Sequence, residues 1–247
     1  MATEQLTALV TGGTSGIGRA AANKLAALGV HVLVVGRNQE RGEKTLAEIQ
    51  KAGGKADFIS SDLRDAASAR EVAKKALEIG RGRIDILVNN AGIFPFGPTD
   101  KTTEEDFDRV YSINVKAPFF LVAELAPLMA KQGKGAIVNV STMVAEFGMA
   151  GMSLYGSTKA AIELLTKAWA AEFGPHGVRV NVVSPGPTRT EGTEAMGEGL
   201  AQLAAQAPAG RPATADEIAE AIVFLATDRS SFIYGAKLAV DGGRTAV

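Results

Sequence analysis

Seven short apolar runs, each followed by a longer stretch, recur along this chain. They are rich in Val, Ile and Leu and lack polar alternation, as expected for strands buried on both faces. The runs are Leu6–Val10, Val30–Val35, Ala56–Ile59, Ile84–Val88, Ala136–Val140, Val178–Val183 and Ala236–Val240. Because the intervening stretches have helical spacing, the alternation predicts a parallel sheet covered by helices on both faces.

Helices are predicted between these runs. They cover Ala20–Leu28, Asn38–Ala52, Asp65–Ile79, Glu104–Tyr111, Asn114–Lys131 and Leu154–Phe173. Three pairs predict capping boxes at helix starts: Ser68 with Glu71, Thr102 with Glu105, and Thr214 with Glu217. Because seven strands do not complete an eight-stranded barrel, we expect residues 1–247 to form one doubly wound Rossmann domain with a mainly parallel sheet.

The composition excludes several classes of function. The formal net charge is −1 over 247 residues, so no nucleic-acid or anionic-membrane partner is expected. There is no cysteine, and the two histidines, His31 and His176, lie far apart in the chain. We therefore expect neither a metal site nor a Ser-His-Asp triad. No apolar run of about 18 residues and no secretory leader is evident, which predicts a cytoplasmic protein without a membrane partner.

A glycine-rich segment, Thr11–Gly18, directly follows the first predicted strand and opens a helix. Glycines there permit a tight turn, close approach of the backbone to a pyrophosphate, and close packing of helix on strand. The helix N-terminus then offers free N–H groups to phosphates. The predicted dinucleotide contacts are Gly12, Thr14, Ser15, Gly16, Ile17 and Gly18.

The end of the second predicted strand indicates which dinucleotide binds. NAD-binding folds place a carboxylate there to accept hydrogen bonds from the ribose 2′-OH. This chain has Gly36 and Arg37 instead, and a guanidinium can clamp the 2′-phosphate of NADP(H). Arg37, with added hydrogen bonds from Ser15 and Asn38, therefore predicts NADP(H) rather than NAD(H). The alternative is that Arg37 is a solvated loop residue.

Tyr155 and Lys159 lie four residues apart in a predicted helix. This spacing places both side chains on one face, one turn apart. A free tyrosine has a pKa near 10, and a neighbouring ammonium favours the phenolate. We therefore expect Lys159 to lower the pKa of Tyr155, which would then exchange a proton with a substrate oxygen.

Together these motifs resemble the short-chain dehydrogenase/reductase family over essentially the whole chain. The matching segments are Thr11–Gly18, Asp62 with Leu63, Asn89–Gly92, Asn114, Tyr155 with Lys159, Pro185 and Gly186 with Thr190, and Val240–Gly243. Their order and separations make the resemblance specific. It implies an oxidoreductase that transfers a hydride between a nicotinamide and a carbonyl/alcohol pair, similar to 3-oxoacyl-carrier-protein reductases.

For the adenine half of the cofactor, the resemblance implies two sets of contacts. Asp62 and Leu63 would contact the adenine. Asn90, Ala91 and Gly92 would form the turn beside the adenosine ribose and stabilise the central strand. The alternative for these three residues is a plain turn that ends a strand.

For the nicotinamide half, the resemblance implies that Lys159 contacts the ribose. Asn114 would kink its helix and hold a water bound to Lys159. The carboxamide would be held by the segment containing Pro185, Gly186, Thr188 and Thr190. All these contacts are implied by the family alone.

One position departs from the family pattern. The serine that polarises the substrate usually lies thirteen residues before the tyrosine, and here that position is Thr142. Ser141 lies one place earlier. Because neighbouring side chains in a strand point to opposite sides, only one of them can face the substrate. The spacing favours Thr142, whose hydroxyl would hydrogen-bond the carbonyl oxygen; Ser141 remains the alternative.

Apolar side chains near the predicted strand ends indicate a substrate pocket. They are Phe94, Phe96, Met143, Phe147, Met149 and Met152, and the alternative for each is an ordinary core or subunit contact. The resemblance implies a substrate lid over residues 191–209 and a homotetramer in which the helix of Trp169 packs between subunits. Arg189 and Arg211 would either meet an anionic substrate group or serve solvated, structural roles.

Three hypotheses follow. The first is an NADPH-dependent carbonyl reductase, acting on a 3-oxoacyl thioester or another ketone. The second is an NAD(P)-dependent dehydrogenase of a secondary alcohol, sugar or steroid. The third is a catalytically silent dinucleotide-binding protein, and Thr142 is the only feature in its favour.

Overall fold

The computed structural model describes residues 5–247, in which seven parallel strands form one sheet of order β3-β2-β1-β4-β5-β6-β9. The strands are β1 (Thr7–Thr11), β2 (His31–Gly36), β3 (Lys55–Ser60), β4 (Ile86–Asn89), β5 (Gly135–Val140), β6 (Val178–Pro185), β7 (Thr188–Arg189), β8 (Ala213–Thr214) and β9 (Lys237–Val240). The short strands β7 and β8 pair with each other outside this sheet. All seven predicted strands are confirmed, and so is the doubly wound Rossmann fold.

The helices are α1 (Gly16–Ala27), α2 (Gln39–Lys51), α3 (Ala66–Ile79), α4 (Glu104–Tyr111), α5 (Ala117–Gln132), α6 (Ser153–Phe173), α7 (Glu198–Ala204) and α8 (Ala215–Ala226). The six predicted helices are confirmed, with small shifts at most ends. Helices α7 and α8 were not delimited from the sequence.

The protein has a hydrophobic core on each face of the sheet, because side chains alternate along each strand. Val10 packs in the cluster with α1, α2 and α8, whereas Leu9 packs in the cluster with α3, α5 and α6.

Two of the three predicted capping boxes are wrong. Helix α3 is capped by Asp65, which accepts from the Ser68 N–H at 2.7 Å, while Ser68 Oγ accepts from the Asp65 N–H. Helix α4 is capped by Thr103 rather than Thr102. At the starts of α3 and α4, several neighbouring polar residues could serve as the N-cap. The N-cap is the residue with an extended backbone immediately before each helix. The box of Thr214 with Glu217 is confirmed at α8.

The continuous helical stretch Glu104–Gln132 corrects the expectation that no segment could span a membrane. One 18-residue window in it reaches a mean hydropathy of 1.4, which is sufficient by length and composition. Leu121, Leu125 and Met129 of this stretch are fully buried in the core beneath the sheet. The packing of a core helix therefore accounts for the buried part of its apolar surface, while Phe119 on the same stretch is exposed.

The carboxyl ends of β1, β4, β5 and β6 lie at one edge of the sheet, as required by their parallel direction. The order of the strands reverses between β1 and β4, which is where doubly wound sheets bind their ligands. Most predicted site residues lie at this edge, on the loops that follow the strands or at the ends of β6, β7 and α1, and α6 brings Tyr155 and Lys159 to it.

Candidate active site

The glycine loop adopts conformations that require glycine. Gly12 and Gly16 have φ values of 64° and 49°, and a Cβ atom on Gly12 would lie 2.8 Å from Asn90 Nδ2. Ser15 precedes α1 in an extended conformation, yet its side chain makes no capping hydrogen bond. The first turn of α1 therefore offers N–H groups that the local sequence does not cap, as a phosphate-binding helix start does.

A network of hydrogen bonds ties the glycine loop to the end of β4. Thr11 Oγ1 accepts from the N–H groups of Asn90 and Ala91, at 3.0 and 3.1 Å, and donates to Val88 O. Asn90 Nδ2 donates to the carbonyls of Thr11 and Gly12, at 3.0 and 3.2 Å. The turn of Asn90 and Ala91 therefore stabilises the glycine loop as well as ending β4. Sequence reasoning gave Thr11 no role, although a buried threonine at a strand end was a usable signal.

The four residues predicted for the adenine end follow β2 and β3. Arg37 and Asp62 are exposed, whereas Leu63 is buried in the core. Asn38 caps α2, because its Oδ1 accepts from the Arg41 N–H at 2.8 Å. Since β2 and β3 are neighbours, all four lie beside one another at the sheet edge, at the outer end of the glycine loop.

A cavity of about 720 Å³ extends from the glycine loop to α6. The predicted site residues that line it are Gly12, Ser15, Gly16, Ile17, Asn90, Ala91, Gly92, Thr142, Tyr155, Lys159, Pro185, Gly186, Thr188 and Thr190. Those that lie outside the lining are Thr14, Gly18, Arg37, Asn38, Asp62, Leu63 and Asn114. The cavity is therefore large enough for a nicotinamide and a small substrate.

Tyr155 and Thr142 both line this cavity, and their side chains are close enough for Thr142 to lower the pKa of Tyr155. Ser141 also lines the cavity, but its hydroxyl donates to Glu163 Oε1 at 2.7 Å. Of the two candidates, Thr142 is the one whose side chain is close enough to Tyr155 to lower its pKa. Lys159 Nζ donates to Val140 O at 2.8 Å and lies 5.8 Å from the centroid of the Tyr155 ring.

Burial controls the ionisation of both groups. It raises the pKa of Tyr155 to about 12, against the smaller lowering effect of the Thr142 hydrogen bond. It lowers the pKa of Lys159 to about 8. The expectation that Lys159 lowers the pKa of Tyr155 is therefore wrong. A buried phenolate loses its hydration, and Lys159 directs its hydrogen bond to Val140 O instead of the phenol.

Asn114 lies in a π-helical turn, Ser112–Lys116, between α4 and α5. Its side chain accepts from the Ile93 N–H and donates to Ile93 O, both at 2.9 Å, and donates to Thr158 Oγ1. A π-turn is the kind of helix distortion expected at such a position. Because a Cβ on Gly92 would lie 3.4 Å from Lys159 Nζ and 3.3 Å from Asn114 Oδ1, Gly92 leaves room for both side chains.

The outer part of the cavity is apolar. Five of the six predicted pocket residues line it: Phe94, Phe96, Met143, Met149 and Met152. Phe147 does not, and its ring lies under the Arg244 guanidinium, at 4.7 Å. Segment 191–209, the expected lid, adds Met196, Leu200 and Leu203 to the lining, and sequence reasoning missed these residues. Their helical spacing within an alanine-rich segment was the available signal.

The two arginines considered for an anionic substrate do not line the cavity. Arg211 bonds through both terminal nitrogens, with Glu217 carboxylate oxygens at 2.6 and 2.9 Å from Nη2 and Nη1. Arg189 is exposed. Within residues 5–247, no cluster of three or more His, Asp or Glu side chains could hold a metal ion.

Comparison with known proteins gives consistent matches along the chain. The sequence profile described as enoyl-(acyl carrier protein) reductase matches residues 12–245. The 3-oxoacyl-[acyl-carrier-protein] reductase of Thermotoga maritima is 37% identical over 236 residues, which cover 95% of this chain and 96% of that protein.

Two solved structures have the same fold over nearly their whole length. One is a short-chain dehydrogenase/reductase family protein with 48% identity, complete coverage of both chains and a TM-score of 0.91. The other, from Beutenbergia cavernae, is provisionally assigned as an NAD(P)-dependent gluconate 5-dehydrogenase and was solved with NADP at low occupancy. It has 37% identity, covers 98% of this chain and 97% of its own, and has a TM-score of 0.92.

Proposed function

Since the chain belongs to the short-chain dehydrogenase/reductase family, we propose that it is an NADPH-dependent carbonyl reductase with Tyr155 as its general acid. The observation that carries this proposal is that Thr142, Tyr155 and Lys159 line one cavity that is continuous with the glycine loop. Hydroxyl groups placed there can bind and protonate the oxygen of a carbonyl substrate.

When bound, the cofactor supplies the hydride that the protein cannot. In reduction, the Thr142 hydroxyl donates a hydrogen bond to the carbonyl oxygen and holds it beside Tyr155. Tyr155 gives its phenolic proton to that oxygen as the alkoxide forms. Because burial raises the pKa of Tyr155 to about 12, the phenol is protonated at neutral pH, which is the form needed for reduction. The Lys159 ammonium stays bonded to Val140 O, 5.8 Å from the centroid of the Tyr155 ring, so it is not assigned the role of holding the phenolate.

The residues fit a dinucleotide. The start of α1, with Ser15, Gly16 and Ile17, would bind the pyrophosphate, although the Gly16 N–H is bonded to Glu191. Lys159 would contact the nicotinamide ribose, and Pro185–Thr190 would hold the carboxamide. NADP(H) is preferred over NAD(H) because Arg37 is exposed at the end of β2, where its guanidinium would pair with a 2′-phosphate.

The substrate is proposed to be a ketone or a 3-oxoacyl thioester, in line with the reductase of Thermotoga maritima. The second candidate is oxidation of a secondary alcohol or sugar, which the likeness to the Beutenbergia cavernae protein favours. The two differ in direction, since a protonated Tyr155 favours reduction at neutral pH.

The test follows NADPH and NADH absorbance separately with a panel of ketones, diketones and a 3-oxoacyl thioester. Consumption that is faster with NADPH supports the proposal. Faster oxidation of alcohols or sugars with NAD supports the second candidate. Tight NADPH binding with no consumption across the panel, also after Thr142→Ser, would favour a silent dinucleotide-binding protein instead.

We also propose that the protein forms a homotetramer and is located in the cytoplasm. Helices α5 and α6 expose Phe119 and Leu164, with 42% and 69% of their surface accessible, which supports a contact between subunits there. Light scattering on the wild type and Leu164→Glu tests the assembly, and a monomeric wild type would contradict it. Cell fractionation tests the location.

A further inference from the structure

We propose that this pocket selects uncharged, apolar ketones and rejects substrates that carry a carboxylate or phosphate near the carbonyl. The inference rests on the proposed function and narrows it to a substrate class. It concerns the outer pocket, which we define by Phe94, Phe96, Met149, Met152, Met196 and Leu203.

None of the described residues that line the cavity offers a free cation. Lys159 is the only charged side chain among the described residues that line the cavity, and its ammonium is engaged with Val140 O beside Tyr155. A carboxylate bound in the outer pocket would lose its hydration without gaining a partner. Burial of an unpaired charge is strongly unfavourable.

Charge is partly neutralised beside the cavity. The guanidinium of Arg19 is paired with Glu191 at 2.5 Å. Glu191 immediately follows Thr190 and precedes Gly192, both of which line the cavity. Glu191 therefore places a carboxylate beside the cavity, which disfavours an anion on that side, whereas the exposed Arg189 lies between the lining residues Thr188 and Thr190.

The walls of the outer pocket are apolar. Phe94 lies 6.1 Å from Tyr155 between ring centroids, so an apolar wall begins beside the reacting oxygen. Phe96 is 73% exposed, yet its ring is supported by the backbone of Gly151, where a Cβ would lie 2.7 Å away. An exposed but supported ring is suited to packing against an apolar ligand.

Methionine dominates the rest of the wall. Met149 and Met152 come from the loop before α6, and Met196 comes from the lid. Unbranched, polarisable thioethers repack around ligands of different outline. The pocket is therefore expected to accept several apolar ketones of different shape, while the requirement for an uncharged substrate is strict.

The test uses substrate pairs in which a small alkyl ester replaces the carboxylate: ethyl acetoacetate with acetoacetate, and methyl levulinate with levulinate. We expect kcat/KM with NADPH to be at least about a hundredfold higher for each ester than for its acid. Equal values, or a preference for the acids, would overturn the inference while leaving the proposed reductase function intact.

A charge-introducing variant sharpens the test. Met196→Arg places a cation at the outer pocket and should raise kcat/KM for the acids at least about tenfold. Met196→Gln, of similar length but neutral, should not. Leu28→Arg, at the far end of α1, controls for net charge. No gain for the acids in Met196→Arg, with the esters still reduced, would count against the inference.

A binding measurement separates failure of the inference from failure of the proposed function. The Tm of the protein with saturating NADP is measured with ethyl 3-hydroxybutyrate and with 3-hydroxybutyrate. Stabilisation by the ester alone supports the pocket assignment even if neither ketone is reduced, which would overturn only the reductase function. Stabilisation by the acid, or by neither ligand, overturns the inference.

Discussion

Glu191 accepts a hydrogen bond from the Gly16 backbone N–H at 2.9 Å, which joins residues 175 positions apart in the chain. The same carboxylate binds Arg19 Nη2. Although burial opposes ionisation, backbone hydrogen bonds and the Arg19 charge hold the pKa of Glu191 below its ordinary value. Glu191 thus places a negative charge at the start of α1, where the cofactor phosphates are proposed to bind.

Replacing Glu191 by glutamine removes a charge that competes with the phosphates. We expect Glu191→Gln to lower the Kd for NADPH about two- to fivefold, the size of a single charge effect at a helix N-terminus. Calorimetric titration measures this, with Glu194→Gln in the same segment as the control. A weaker affinity in Glu191→Gln would show instead that Glu191 holds the loop in its binding shape.

Arg37→Ala should separate the two dinucleotides. The change removes the guanidinium proposed to pair with the 2′-phosphate, so the Kd for NADPH should rise about ten- to a hundredfold, as for loss of a charge-assisted hydrogen bond. The Kd for NADH should stay nearly the same. Arg41→Ala, an exposed arginine on α2, is the matched control. An equal loss for both cofactors would contradict recognition of the 2′-phosphate.

Thr142→Val should lower kcat by about a hundredfold or more, because the variant keeps the shape but loses the hydroxyl that positions the substrate oxygen. Thr142→Ser should retain most of the activity. Ser141→Ala should have a much smaller effect, since Ser141 is bonded to Glu163 on the other side of the strand. Steady-state kinetics that show the larger loss in Ser141→Ala would reverse this assignment.

The pH dependence of reduction should follow Lys159. With its pKa lowered to about 8 by burial, Lys159 is charged below that pH and neutral above it. Tyr155, with its pKa near 12, remains protonated across the accessible range. The value of kcat/KM for NADPH, which reports groups of the free enzyme, should therefore be level below about pH 8 and fall above it. A rise through pH 8 would contradict the need for the ammonium.

The sheet and most helices could be predicted because their signals are local. Uninterrupted Val, Ile and Leu runs identify buried strands, and Thr214 with Glu217 marks the start of α8. Where several polar residues compete for one cap, as at Asp65 and Ser68, the sequence does not decide. The cap depends on which backbone is extended before the helix.

The positions of the site residues could be predicted in part from local patterns, as for the fold. Motif spacing predicts that Thr142 and Tyr155 face one site, and both line the same cavity. The pKa of Tyr155 could not be inferred from spacing, because it depends on burial and on where Lys159 directs its hydrogen bond. The contact between Glu191 and Gly16 joins distant segments, so no local pattern reveals it.

The most direct measurement compares NADPH consumption by the wild type and Tyr155→Phe on the best ketone of the panel, with the Kd for NADPH determined for both. Removing the general acid should lower kcat by about a hundredfold to ten-thousandfold, while the Kd changes by less than about threefold because the cofactor contacts remain. A Tyr155→Phe variant that keeps wild-type kcat would show that Tyr155 does not supply the proton.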